Sequence, residues 1–420
     1  TGLWGLPSPT AAAHPAPFRS SRRLTGRSEV PTSTRRAPLP AKPPNRWWRP
    51  LLLALLGVVA LSVSVVGVSV AGALRAPGTD SVAARLAEWG RDHGFDELIT
   101  WLEKQQYEHN PPPTGGVPVG GIPRVGVAPP TSSDPSVTTT PPRVPAPRPL
   151  HPPPGVAPLA GEGQWDTVVV VRGQPAVRVA HVRPDSQHTS FLVGVMWIDP
   201  TLVRGQLHPG FQDPGGSGLA GTSLTSAEQR TVVAVFNGGF RLNGASHGGY
   251  YSQGRIARPL VEGAASLVLR ADGSATVGAW NREVRMGPGV ASVRQNLALL
   301  VDEGQVNPTC QSGGTAQWGS TIGQAAFIHR SGFGVTAGGG EVYVGGPALS
   351  VCDLGLILQA SGVVRGMELD INPNWVSGAY FISTPEGRPR GVQLFPGERV
   401  AAEHYFSPSS RDWYAFYARP

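Results

Sequence analysis

The chain has 420 residues, a formal net charge of +7, 55 glycines and 43 prolines. The charge is local: residues 1–50 carry nine Lys and Arg against Glu29 alone, so the rest of the chain is close to neutral and lacks the basic face that a nucleic-acid-binding module needs. Much of the proline lies in the first 160 residues, which leaves about 260 residues able to bury a core.

Residues 1–46 are rich in Pro, Ser, Thr and Arg without a period and read as a disordered basic tail. Residues 47–75 read as a transmembrane helix. Leu51–Leu74 is uncharged over 24 residues, where about 20 suffice to cross the hydrocarbon. Arg49 and Arg75 flank it, and Trp47 and Trp48 stand where an interfacial aromatic belt would be. A cleaved signal peptide has an apolar core of about 7–15 residues, so a retained anchor is expected. The basic excess before it places the tail in the cytoplasm and everything after Leu74 outside, in a single-pass topology.

Residues 79–109 show helical spacing at Val82, Leu86 and Trp89 and again at Leu98, Ile99 and Leu102, with Gly94 between. They are predicted to form two juxtamembrane helices that rest on the membrane or dock on the domain. Residues 110–160 are proline-dense and read as a linker. In extended polyproline form, at ~3.1 Å per residue, it would reach on the order of 100 Å.

From residue 161 to 420 the pattern changes to short Val-rich strands with turn residues between them. Asp272-Gly273 marks a hairpin turn. Val351–Ala360 reads as a helix, N-capped by Ser350 with Asp353 three residues on. Many strands and few helices define an α+β domain of mostly antiparallel or mixed sheet. Cys310 and Cys352 are compatible with a disulfide or with two buried thiols, and are too few for a thiolate-rich zinc site.

Four groups could carry chemistry. Asn237 ends an apolar strand and is followed by Gly238 and Gly239, whose amides could cradle an anion. Arg330 heads a glycine-rich hairpin and could clamp a phosphate or carboxylate. Glu368, Asp370 and Asn372 alternate along a strand and are predicted to share a face. They would serve as acid/base carboxylates or as ligands for Ca²⁺ or Mg²⁺. His247, Tyr250 and Tyr251 follow in a glycine-rich loop suited to lining a sugar site. The expectation is that Asn237, Arg330, Glu368 and Asp370 converge in one cleft.

The order strand–Asn-Gly-Gly-Phe, Gly254-Arg255-Ile256, hairpin, Arg330 to Gly334, hairpin, helix, Leu369-Asp370 resembles the phosphodiester glycosidase family over roughly residues 232–383. The resemblance implies that Asn237, Gly238, Gly239, Arg330 and Asp370 meet in an active site acting on a sugar–phosphate linkage of the cell envelope. The family's Leu-Asp-Gly-Gly-Gly-Ser is here Leu369-Asp370-Ile371-Asn372-Pro373-Asn374, which removes three glycine amides and alters the anion cradle. The alternative is a non-catalytic binder of a glycan or anionic polymer on the same fold.

Overall fold

The computed structural model describes residues 46–125, 144–216, 220–242, 248–319, 326–384 and 389–420. The chain divides into two units, Thr1–Ser62 and Val63–Pro420. Helix α1 (Trp48–Leu74) is long and apolar enough to cross a membrane by length and composition. It is followed by α2 (Val82–Asp92) and α3 (Asp96–His109), separated at Gly94 with φ +79°. Ser81 caps α2 by accepting from the Ala84 amide.

The strands and remaining helices run β1 Asp166–Val171, β2 Gln174–Val182, β3 Val193–Ile198, β4 Val203–His208, β5 Val232–Asn237, β6 Tyr250–Ser252, β7 Arg255–Arg258, β8 Ala265–Arg270, β9 Ala275–Ala279, β10 Val290–Gln295, β11 Leu299–Asp302 and β12 Gln305–Val306. Then come α4 Gly314–Trp318, β13 Ile328–Thr336, β14 Glu341–Leu349, α5 Val351–Ala360, β15 Val363–Glu368, β16 Gly378–Ile382, β17 Arg390–Gln393 and β18 Trp413–Ala418. The architecture is α+β, and the ladders between these strands are antiparallel.

Three sheets form. The largest has the order β1-β2-β3-β14-β13-β15-β11-β12; the others are β17-β16-β5-β18-β4 and β7-β6-β10-β8-β9. The main core lies where these sheets face one another. Phe236 stands at its centre, with ring centroids 4.6–5.4 Å from Phe333, Tyr343, Tyr414 and Phe416. Helix α5 covers the opposite face of the large sheet through Leu354 and Leu358, closed at its start by the reciprocal Ser350–Asp353 capping box. A Cβ on Gly332 of β13 would lie 3.2–3.3 Å from those two leucines, so glycine lets helix and sheet approach.

Two stretches differ from the extended stalk expected between 110 and 160. The Gly115 amide donates to Gln187 O at 2.6 Å, and Thr189 Oγ1 donates to Gly116 O at 2.8 Å. Val144 and Leu150 are buried in the core beneath α5, and Leu150 N donates to Gly163 O at 2.9 Å. The apolar side chains among the prolines give this segment something to bury, so its described parts lie on the domain.

Cys310 and Cys352 form a disulfide with Cα atoms 5.1 Å apart, tying the turn after β12 to the first turn of α5. The bridge closes 42 residues that include β13 and β14, and loop entropy assigns it about 4 kcal/mol. Replacing both cysteines by serine is expected to lower unfolding stability by about 2–4 kcal/mol. Denaturant titration checks this, and an unchanged midpoint would show that the bridge constrains nothing.

Candidate functional site

The site grows from the end of β5. Asn237 is buried and uses its whole amide: Oδ1 accepts from Tyr343 Oη at 2.8 Å and from the Ser377 amide at 3.1 Å. Its Nδ2 donates to Gly238 O at 2.7 Å and to Ser331 Oγ at 3.0 Å. Asn237 thus pins β5 to β13, β14 and the segment before β16. Ser331 continues the chain of contacts, accepting from the Asp370 amide at 3.1 Å.

Two groups stand against the glycines. A Cβ on Gly238 would lie 2.5 Å from Asp412 Oδ2, and one on Gly239 would lie 3.2 Å from the Arg294 guanidinium. Arg294 and Asp412 are a fully buried ion pair, Nε to Oδ2 2.7 Å, and Arg294 Nη1 also donates to Gln295 O at 2.6 Å. These contacts hold the guanidinium charged, well above its usual range. The Gly238 amide donates to Asp412 O at 2.8 Å. Protein groups therefore fill the space that the sequence reading offered to an anion.

Asp370 lines a small cavity of about 10 Å³ together with Asn237, Gly238, Gly239, Trp375 and Arg411. Its Oδ1 accepts from the Ile371 amide at 2.7 Å, and its Oδ2 lies 3.5 Å from Arg411 Nη2. Burial pushes the carboxyl up to about 6, against the opposing pull of Arg411. Arg411 is itself buried and lies over the Trp375 ring at 5.1 Å. Its hydrogen bonds are all long, 3.4 Å to Glu88, 3.4 Å to Gly239 O and 3.5 Å to Asp370, and its Nε has no hydrogen-bond partner among the described residues but stands 4.0 Å from Asp213 Oδ2 in an ion pair.

Arg330 and Glu368 do not join this cavity. They form a separate buried pair, Nη1 to Oε1 2.5 Å, with Arg330 Nε donating to Leu349 O at 2.9 Å. They lie on the α5 side of the sheet with Gly332, whereas Ser331 and Phe333 face the main core. Strict alternation would have put Asp370 beside Glu368, but β15 ends at Glu368. There the consecutive carbonyls of Glu368 and Leu369 both accept from Asn296 Nδ2, at 2.7 and 2.9 Å, because the chain has left the pleat. Burial raises the Glu368 carboxyl even so.

The remaining residues scatter. Asn372 builds a turn, its Oδ1 accepting from the Asn374 amide at 2.9 Å, and borders a wider groove with Pro373 and Asn374. Tyr250 is buried in the main core and Tyr251 packs on a small cluster with Trp280, so neither ring lines the cavity at Asp370. His247 lies outside the described residues. Among the described residues no group of three or more His, Cys, Asp or Glu is placed to hold a metal, and Glu368, Asp370 and Asn372 diverge.

Sequence reasoning missed Arg294, Arg411 and Asp412. Arg411-Asp412 precedes the final aromatic strand, and a charged pair running into Trp413-Tyr414 was the signal available. Of the two placements expected for the juxtamembrane helices, α2 takes the one docked on the domain, over this end of it. Glu88 reaches Arg411 and, at 3.3 Å, Arg241, while Asp92 pairs with Arg241. Thr79 Oγ1 and His404 Nδ1 are 2.6 Å apart.

No family model matches the chain, and no curated protein matches it. Among solved structures it is similar to the catalytic domain of zebrafish N-acetylglucosamine-1-phosphodiester alpha-N-acetylglucosaminidase, described as auto-inhibited by its pro-peptide, with TM-score 0.37 and 13% identity over 61% of this chain and 88% of that one. A hypothetical protein from Synechocystis gives 0.36 and 14% over 61% and 65%, and a Burkholderia pseudomallei protein described as exported gives 0.33 and 14% over 54% and 74%. Likeness of this size says nothing about activity.

Asp412→Asn is expected to cost about 3–5 kcal/mol, because it strands a buried guanidinium, and Arg294→Met with Asp412→Leu together should recover part of the loss. Urea unfolding reads both. A single-variant loss below about 1 kcal/mol would mean that the pair is not a fixed structural element.

Proposed function

We propose that the domain is an extracytoplasmic, membrane-tethered hydrolase of a sugar–phosphate linkage in the cell envelope, with Asp370 as its acid/base and Arg411 as its anion-binding cation. The observation that carries this reading is a buried carboxyl, raised to about 6, next to a buried arginine whose hydrogen bonds are all long. An arginine so held has donors to offer a phosphate, and a carboxyl near 6 holds a proton to give at mildly acid pH. Arg411 takes the role that the sequence reading gave to Arg330, whose charge is spent on Glu368.

In the working scheme the phosphate displaces Glu88 and binds Arg411. Protonated Asp370 gives its proton to the departing phosphate oxygen as the bond from that oxygen to the anomeric carbon breaks. A water oxygen bonds to that carbon, and its released proton returns to Asp370. Asn237 acts through Ser331 and the backbone as a positioning residue.

A second reading, a non-catalytic binder of a glycan or anionic polymer, is favoured by one observation. The Gly238 and Gly239 faces are filled by Asp412 and Arg294 rather than left for an anion.

The test is hydrolysis of sugar-1-phosphodiesters by the purified full chain, with and without EDTA. The parent is expected to turn over, with kcat/KM falling as pH rises past about 6. Asp370→Asn should abolish turnover while keeping shape. A folded carboxyl pKa raised above its unfolded value favours the fold at low pH, and this stability is lost as pH rises from about 3.8 through about 6. Asp370→Asn should therefore melt at or above the parent temperature at pH 7.5. Binding without turnover in the parent would establish the binder instead, and unaltered turnover in Asp370→Asn would remove the assignment of this residue.

A further inference from the structure

The second helix after the apolar span, α3, and the residue before it carry an exposed apolar stripe. Phe95, Leu98, Trp101 and Leu102 are 45%, 50%, 55% and 49% exposed, with Phe95 also stacked on Trp89 of α2 at 5.8 Å. At 100° per residue they fall within an arc of about 120°, the width of an apolar stripe that normally faces a core. The other sides of the hairpin are engaged. Ile99 lies against Gly90 of α2, and Glu103 pairs with Arg91 of α2 at 2.7 Å. A contiguous exposed patch of large apolar side chains marks a surface that meets another phase or molecule.

The position of the hairpin selects the partner. Trp89 Nε1 of α2 donates to Ser69 Oγ at 2.9 Å, and His93 Nε2 lies 3.2 Å from the same oxygen. Ser69 is five residues before the end of α1, about 8 Å from it along the axis. The hairpin is thus fastened to the outer end of the predicted span, at the depth where lipid headgroups begin. Trp101 supplies the ring type that favours that zone.

We infer that α3 lies in the membrane interface, with Phe95, Leu98, Trp101 and Leu102 in lipid, and that the α2–α3 hairpin holds the domain against the membrane surface. The proposal rests on the reading of α1 as a membrane span. Electrostatics does not drive it: α3 carries Asp96, Glu97, Glu103 and Glu108 against Lys104 alone. The attraction is apolar, and the tether supplies the effective concentration, so uncharged lipid suffices as partner.

The experiment uses the full chain in phosphatidylcholine proteoliposomes. Single cysteines at Leu98→Cys, Thr100→Cys and Val63→Cys carry an environment-sensitive fluorophore; the native cysteines are bridged and do not react. Thr100 lies on the far side of α3 from the stripe, and Val63 lies within the span. Lipid spin-labelled near the headgroup is expected to quench position 98 about threefold more than position 100. Lipid labelled deep in the chains is expected to quench position 63. Quenching at 63 with none at 98 overturns the proposal, whether iodide reaches 98 freely or a second copy of the chain shields it. Absence of quenching at both 63 and 98 removes the membrane reading of α1 and this proposal with it.

Discussion

The buried pair Arg294–Asp412 sets the terms for the rest of the site. Arg294 is the second-last residue of β10 in one sheet, and Asp412 leads into β18 in another, so the pair joins two sheets through charge rather than packing. Two ions removed from water need every donor and acceptor matched, and Arg294 meets this by adding backbone carbonyls to its carboxylate. The pair occupies the volume beside residues 238 and 239, where any side chain would collide with it. That requirement turns the chain at the end of β5 and leaves Asn237 aimed at Ser331 and Tyr343.

Arg411, next to Asp412, reaches Asp370, Asp213 and Glu88 of α2. The outcome is two arginines in succession around a glycine turn, one saturated and one under-bonded. The saturated one is structural. The under-bonded one lies 3.5 Å from Asp370, a carboxyl that burial raises to about 6.

The local elements were legible in the sequence because their signals are local. Ser350 with Asp353 marks the start of α5, Asp272-Gly273 marks the β8–β9 turn, and Gly94 marks the break between α2 and α3. Asn237 and Asp370 were legible as polar residues at strand ends, and they do line one cavity. What could not be read was partnership. Arg330 and Arg411 look alike as letters, and only the fold tells that the first is held by Glu368 at 2.5 Å while the second meets Glu88, Asp370 and Asp213 at 3.4–4.0 Å. The face of Asp370 was misjudged because strand alternation was carried two residues past the end of β15. The proline-rich segment was read by composition alone, and composition does not show that Val144 and Leu150 find a core to enter.

Strand β18 follows every other described strand along the chain, yet it lies inside its sheet, hydrogen-bonded to β5 on one side and β4 on the other. Without residues 412–418, β4 and β5 have no ladder between them, Phe236 lacks two of its aromatic neighbours, and Arg294 lacks its counter-ion. The order of the strands therefore leaves the joining of these elements to the last described strand of the chain.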